Sequence, residues 1–83
     1  MVVQIYNRIS LFRAESGQSR KDVADVVGVN PQTIGYLERG DYNPSLELAM
    51  KLSDNFGVPI EALFSFAPFE TMASLIQRNK EIM

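Results

Sequence analysis

Residues 19–44, SRKDVADVVGVNPQTIGYLERGDYNP, read as two short helices joined by a tight turn. Their apolar residues have the spacing that lets the second helix cross the first at a steep angle and keep its other face toward solvent. These residues are Val23, Ala24, Val27, Gly28, Val29, Ile34 and Leu37. The stretch therefore predicts a helix-turn-helix unit.

Capping residues mark where both helices begin and end. Ser19 is a natural N-cap, and Asp22 three positions later completes a capping box with a shorter acid. Gly28 stands where the chain turns sharply out of the first helix and a positive φ is needed. Asn30 can cap the second helix, and Pro31 suits its first turn. The two helices are predicted to end near residues 27 and 39.

Further helices are predicted on both sides of this unit. Ile5, Ile9 and Phe12 lie at offsets of four and three, which indicates a first helix over residues 5–16. Downstream, Ser45 can cap a helix with an apolar stripe, and Pro59 can begin a short one. These helices are predicted over residues 46–56 and 59–63, and a sixth, amphipathic helix over residues 71–82.

The composition excludes several classes of function. The 83 residues include no cysteine and no histidine, so disulfides, thiolate metal sites and most general-base chemistry are excluded. No apolar run approaches the ~18 residues of a membrane span. We therefore expect a cytoplasmic protein that is not an enzyme, does not span a membrane and holds no cofactor or metal.

Charge limits how this chain could bind a nucleic acid. The net charge of −2 argues against indiscriminate binding of polyanions, since nonspecific affinity for DNA comes mainly from Lys and Arg. Between residues 7 and 43, five cations are balanced by five anions. Any contact with DNA must therefore come from the arrangement of the cations and not from their number.

The segment from Gly17 to Phe64 resembles the Cro/C1-type, or Xre, family of helix-turn-helix regulators. The resemblance rests on Ala24, Gly28, Ile34 and Leu37 at fixed spacing and on the run LERG-x-YNPSLELA. It implies an all-α, five-helix, lambda repressor-like bundle that lays its third helix in the DNA major groove. Residues 1–65 would form this DNA-binding domain, and residues 66–83 a connector and an extra helix for dimerisation.

The same resemblance implies which residues would contact DNA. The base-facing residues would be Asn30, Pro31, Gln32, Thr33 and Tyr36. The phosphate-contacting residues would be Ser19, Arg20, Lys21, Arg39 and Asn43. Arg13 and Glu38 match a structural ion pair that braces the first helix against the third.

Several of these residues have an ordinary structural explanation as well. Gln32 could be a solvated helix residue, Tyr36 could pack along the second helix, and Arg39 could be a surface residue that favours a helix C-terminus. Pro31 leaves only an apolar contact, such as one with a thymine methyl, and Gly35 leaves a gap, so direct reading would fall mainly on Gln32 and Tyr36. DNA shape would then carry part of the specificity.

The C-terminal apolar residues permit two interpretations. They are Phe66, Phe69, Met72, Leu75 and Ile76. The stripe could fold back on its own bundle, but it exceeds what five helices usually need to cover, which favours a homodimer interface.

The expected function is a sequence-specific regulator of transcription, acting as a repressor and as a homodimer on double-stranded DNA. The alternative is an antitoxin-like or protein-binding helix-turn-helix module whose C-terminal segment grips a protein partner.

Overall fold

The computed structural model describes residues 4–70 and consists mainly of five helices. The helices are α1 (Ile9–Glu15), α2 (Arg20–Val27), α3 (Pro31–Arg39), α4 (Leu46–Phe56) and α5 (Ile60–Leu63). Two strands of two residues each, β1 (Tyr6–Asn7) and β2 (Phe64–Ser65), pair antiparallel. The predicted all-α bundle of five helices is confirmed, with this small sheet as an addition that the sequence did not predict.

The first helix is shorter than the sequence predicts, because residues 5–8 are not helical. Asn7 pairs with Phe64 in the sheet, and its side-chain Oδ1 accepts a hydrogen bond from the backbone N–H of Ile9 at 3.1 Å. The N–H of Arg8 donates to the carbonyl of Leu63 at 2.9 Å. Asn7 and Arg8 thus use their backbone groups to bond Phe64 and Leu63 and do not extend the helix.

The predicted caps of the two central helices are confirmed. Ser19 and Asp22 form a reciprocal capping box, with the Ser19 Oγ accepting from the Asp22 N–H at 3.0 Å. The Asn30 Oδ1 accepts from the Gln32 N–H at 2.8 Å. Gly28 ends α2 with a φ of 79°, a left-handed conformation that costs a residue with a Cβ about 1–2 kcal/mol.

The core lies where α2, α3 and α4 meet, and α1 and α5 close it. Ala24 is fully buried, so its small side chain allows close approach of α2 and α3. The buried cluster consists of Ile9, Val23, Ala24, Val27, Ile34, Leu37, Leu48, Leu52 and Leu63. This apolar side of α3 fixes the helix on the bundle and leaves its opposite side in solvent.

The predicted sixth helix over residues 71–82 lies outside the described residues. Within residues 4–70 the longest helix, α4, has 11 residues, and no helix is long and apolar enough to cross a membrane.

Candidate nucleic-acid interface

Helix α3 has one buried face and one exposed face. Ile34 and Leu37 are at most 1% exposed, whereas Gln32, Tyr36 and Arg39 are exposed on the other side. Successive residues of a helix are rotated by about 100°, so these two sets fall on opposite faces. The exposed face is thus polar and aromatic.

A groove of about 340 Å³ runs along this exposed face. Its lining consists of Arg20, Pro31, Gln32, Gly35, Tyr36 and Arg39. Pro31 and Gly35 are four positions apart and therefore lie on one side of the helix, one above the other. Because neither has a long side chain, the groove opens between Arg20 of α2 and the larger side chains of α3.

Glu38 binds two arginines from two different helices. Its Oε2 accepts from Arg13 Nε of α1 and its Oε1 accepts from Arg20 Nε of α2, both at 2.8 Å. The Glu38 side chain is only 5% exposed, while that of Arg20 is 52% exposed. Burial alone would raise the pKa of Glu38, but the hydrogen bonds and charges of Arg13 and Arg20 outweigh burial and lower it. Glu38 thus ties α1 and α2 to α3.

The other two predicted phosphate-binding cations also have carboxylate partners. Arg39 Nε donates to Asp41 Oδ2 at 3.1 Å, and its guanidinium lies 5.1 Å from the centre of the Tyr36 ring. Lys21 Nζ lies 2.8 Å from Asp25 Oδ2 one turn along α2, and this contact raises the pKa of Lys21. All four side chains of these pairs are more than half exposed, so phosphate can compete for the cations.

The remaining residues of the predicted interface lie near the N-termini of α2 and α3 and in the loop between α3 and α4. Ser19 and Asn30 are exposed, and each uses a side-chain oxygen as a helix cap. Thr33 is half-buried in α3, and Asn43 is exposed in the loop between α3 and α4. Of the predicted base-facing and phosphate-contacting residues, the structure brings five together around the groove, namely Arg20, Pro31, Gln32, Tyr36 and Arg39. The others lie elsewhere on α2, α3, their N-caps and this loop.

The sequence did not point to Asp41 and Tyr42 as part of this surface. Tyr42 is 46% exposed and lines a second depression of about 560 Å³ together with Thr33, Tyr36 and Asp41. The signal that could have identified Tyr42 is an aromatic residue within the otherwise polar turn that follows Gly40.

The predicted dimerisation residues differ in their surroundings. Phe66 is 76% exposed. Phe69 is half-buried, and the Arg8 guanidinium lies 4.3 Å from its ring centre while also donating from Nε and Nη2 to the Ala62 carbonyl. Phe69 therefore packs on its own bundle. Met72, Leu75 and Ile76 lie outside the described residues.

A second exposed apolar surface lies on α4. Leu46 is 72% exposed and Met50 is 55% exposed. They line a shallow groove of about 800 Å³ together with Val58 and Ile60. The sequence directed attention to the buried stripe of α4 and missed these two residues on its outer side.

Comparisons with known proteins agree with this architecture. The Helix-turn-helix family model matches residues 9–63. An uncharacterized HTH-type transcriptional regulator of Archaeoglobus fulgidus is 49% identical over 59 residues, which cover 71% of this chain and 84% of the relative. Another from Methanocaldococcus jannaschii is 42% identical over 60 residues, which cover 72% and 91%.

A crystal structure of a Bacteroides fragilis protein has the same fold, with a TM-score of 0.68 at 24% identity over 74% of this chain and 98% of that chain. The family match spans all five helices and includes both the capped helix pair and the exposed face of α3. The chain therefore belongs to the Cro/C1-type, or Xre, family of helix-turn-helix transcriptional regulators.

Proposed function

We propose that this protein is a sequence-specific repressor that binds DNA as a homodimer with α3 in the major groove. The observation that carries the proposal is the two-sided character of α3. Ile34 and Leu37 anchor one face in the core, and Gln32 and Tyr36 stand exposed on the other beside Arg20 and Arg39. The major groove of B-DNA is wide enough to admit a helix presented in this way.

Base reading in this proposal comes from the N-terminal and middle turns of α3. Gln32 can pair with adenine through two hydrogen bonds, and Tyr36 can contact a base or donate a hydrogen bond. The full base-facing set is Asn30, Pro31, Gln32, Thr33 and Tyr36. A repressor function follows from occupancy, because a small bundle placed on a promoter blocks other proteins.

Phosphate contacts hold the helix in register. Lys21 and Arg39 are exposed and paired with Asp25 and Asp41 in weak surface ion pairs, which typically contribute about 0–1 kcal/mol. Exchange of these carboxylates for DNA phosphates therefore requires little energy. Ser19 is exposed at the start of α2 and Asn43 is exposed in the loop after α3, and both can donate to further phosphates.

The dimer would arise through residues 66–83, attached to a DNA-binding domain formed by residues 1–65. Two copies related by a twofold axis would present their α3 helices to half-sites about one helical turn apart. Exposed Phe66 supports this assignment, because it begins the segment and does not cover its own core.

The test is selection of bound duplexes from a random-sequence pool at a fixed salt concentration. Enrichment of an inverted repeat with half-sites about one turn apart supports the proposal. Gln32→Ala should then lose preference at one position of the half-site, by about 1–3 kcal/mol, and keep its affinity for random DNA. Equal weakening on enriched and random duplexes would contradict base reading by Gln32.

A protein-binding module whose C-terminal segment grips a partner is the second candidate function, and the exposed apolar side chain of Phe66 at the start of that segment favours it. A pull-down from the native host with the whole chain and with residues 1–65 separates the two possibilities. A partner retained only by the whole chain, together with no enriched DNA sequence, would favour the module.

A further inference from the structure

Two cations from different helices converge on one point of the groove. A Cβ placed on Gly35 would lie 4.0 Å from Arg20 Nε and 3.5 Å from Arg39 Nη1. Gly35 itself is buried at the floor of the groove, and Pro31 lies one turn before it. The floor of the groove thus offers no long side chain of its own at Pro31 and Gly35, and an arginine of α2 lies beside it.

An ion pair with Glu38 holds the Arg20 guanidinium in place. Its Nε donates to Glu38 Oε1, and Glu38 is fixed in turn by Arg13. An arginine has five N–H donors in a rigid planar fork, so this bond leaves the two terminal NH₂ groups to bind a ligand. The side chain is 52% exposed, which leaves part of it accessible to solvent.

We propose that Arg20 reads the O6 and N7 atoms of a guanine whose edge enters the groove over Gly35, with Glu38 as the residue that positions Arg20. Arginine donating two hydrogen bonds to these atoms is the commonest specific contact to a base. The inference rests on the proposed insertion of α3 into the major groove, and it gives Arg20 a specificity role in place of a phosphate contact.

The surroundings of the groove favour a base edge over a phosphate. Gln32 and Tyr36, the two proposed base-reading residues, line the same groove as Arg20. Gly35 presents no side chain, which lets a base edge approach the helix closely. A phosphate offers the same kind of acceptor oxygens, so the experiment must separate these two sources.

The experiment starts from the duplex that the wild-type protein enriches from a random pool. Each guanine is replaced in turn by 7-deazaguanine, which removes the N7 acceptor and leaves the backbone intact. The wild type should bind at least about fivefold more weakly when one guanine of a half-site is replaced. Arg20→Ala should bind the duplex with guanine and the duplex with 7-deazaguanine with the same affinity. Arg20→Lys should behave in the same way, because lysine keeps the positive charge but lacks the planar fork of N–H donors.

Lys21→Ala is the matched comparison, because it removes a neighbouring cation from the same helix. It should weaken binding to all duplexes and lower the salt slope by about one, while keeping the effect of 7-deazaguanine. Glu38→Gln should reduce the guanine preference and leave the salt slope unchanged. If Glu38 were only structural, its loss would weaken all duplexes alike.

Three results would overturn the inference. The first is an Arg20→Ala protein that still distinguishes guanine from 7-deazaguanine. The second is uniform weakening of Arg20→Ala on enriched and random duplexes with a lower salt slope, which assigns Arg20 to a phosphate. The third is an enriched sequence whose binding does not depend on any guanine, and this result leaves the proposed DNA-binding function intact. Failure to enrich any sequence would instead refute both the inference and the proposed function. Thermal unfolding verifies that each variant is folded.

Discussion

Asn7 donates a hydrogen bond of 2.7 Å from its side-chain Nδ2 to the carbonyl oxygen of Leu37, thirty positions along the chain. This bond joins strand β1 to the last turn of α3, where helix carbonyls have few partners of their own. Asn7→Ala should therefore lower the free energy of unfolding by about 1–3 kcal/mol, because it removes two hydrogen bonds, the one to the Leu37 carbonyl and the one from the Ile9 N–H, while the Gly40 N–H still donates to Leu37. Urea unfolding measures the change.

Asn7→Asp is the control for this bond. It keeps the oxygen that accepts from the Ile9 N–H but places a carboxylate oxygen opposite the Leu37 carbonyl. We expect Asn7→Asp to be at least as destabilising as Asn7→Ala at neutral pH. An aspartate variant as stable as the wild type would show that the contact to α3 contributes little.

The acid sensitivity of the fold should depend on Glu38. Burial raises its pKa, but Arg13 and Arg20 together bring the pKa below its ordinary value of 4.5. Because the unfolded chain binds this proton more readily, the contribution of Glu38 is complete above about pH 4.5 and is lost as the pH falls through the lower folded-state value. Urea unfolding midpoints measured across this range should fall more steeply for the wild type than for Glu38→Gln.

At neutral pH, Glu38→Gln should itself be less stable by about 2 kcal/mol, since two charge-assisted hydrogen bonds are weakened. Some acid sensitivity should remain in this variant, because the backbone and side-chain hydrogen bonds of Ser19 lower the pKa of Asp22 too. Glu47→Gln, which removes an exposed partner of Lys51, is the control and should change stability by less than about 0.5 kcal/mol. Parallel pH curves for wild type and Glu38→Gln would contradict the assignment.

Gly35→Ala should stabilise the fold and impair DNA recognition. The added Cβ meets Arg39 and Arg20 only at ordinary contact distances, and alanine in a helix interior is more stable than glycine by about 0.5–1 kcal/mol. In a domain of this size 1 kcal/mol shifts Tm by about 4–8 °C. We expect a higher Tm together with weaker preference for the enriched duplex, because the methyl group occupies the groove.

Gly28→Ala tests the opposite case. Its Cβ would meet no atom within 4 Å, yet the φ of 79° disfavours any residue except glycine. We expect a loss of about 1 kcal/mol in unfolding free energy without a change in DNA preference. If Gly28→Ala and Gly35→Ala moved Tm in the same direction, backbone conformation would not explain how these two glycines affect stability.

Removal of residues 66–83 should abolish the dimer and retain the bundle. The truncated chain keeps β2 and all five helices, and it loses the stacking of Phe69 on Arg8. Sedimentation at micromolar concentration should show a dimer for the whole chain and a monomer for residues 1–65. Phe69→Ala in the whole chain is the control, since its ring packs on its own bundle and its loss should leave the dimer intact. A whole chain that is monomeric at high micromolar concentration would refute the dimer.

The parts of the fold that the sequence predicts well are those decided by neighbouring residues. Ser19, Asn30 and Ser45 were recognisable as caps because each bonds to a backbone N–H two or three positions later. Gly28 and Gly40 were recognisable because a left-handed residue at a helix end is usually glycine. Local chemistry was therefore enough to delimit α2, α3 and α4.

The parts that it predicts poorly depend on residues that are far apart in the chain. Ile5 lies four positions before Ile9, so periodicity extended the first helix, although pairing of Asn7 with Phe64 prevents this. The interface was predictable only as a set of residue types on α2 and α3. That Arg20 of α2 shares the Glu38 carboxylate with Arg13 of α1 required the tertiary arrangement.

The shared carboxylate of Glu38 has a consequence for how this protein can diverge. Loss of Arg20 leaves Glu38 still paired with Arg13, so position 20 can change while the fold persists. Loss of Glu38 strands two cations, Arg13 on α1 and Arg20 on α2, and removes the ion pairs that join both helices to α3. Descendants of this chain would therefore acquire new operator preferences through position 20 more readily than through position 38, because only a change at position 38 removes both of the ion pairs that join α1 and α2 to α3.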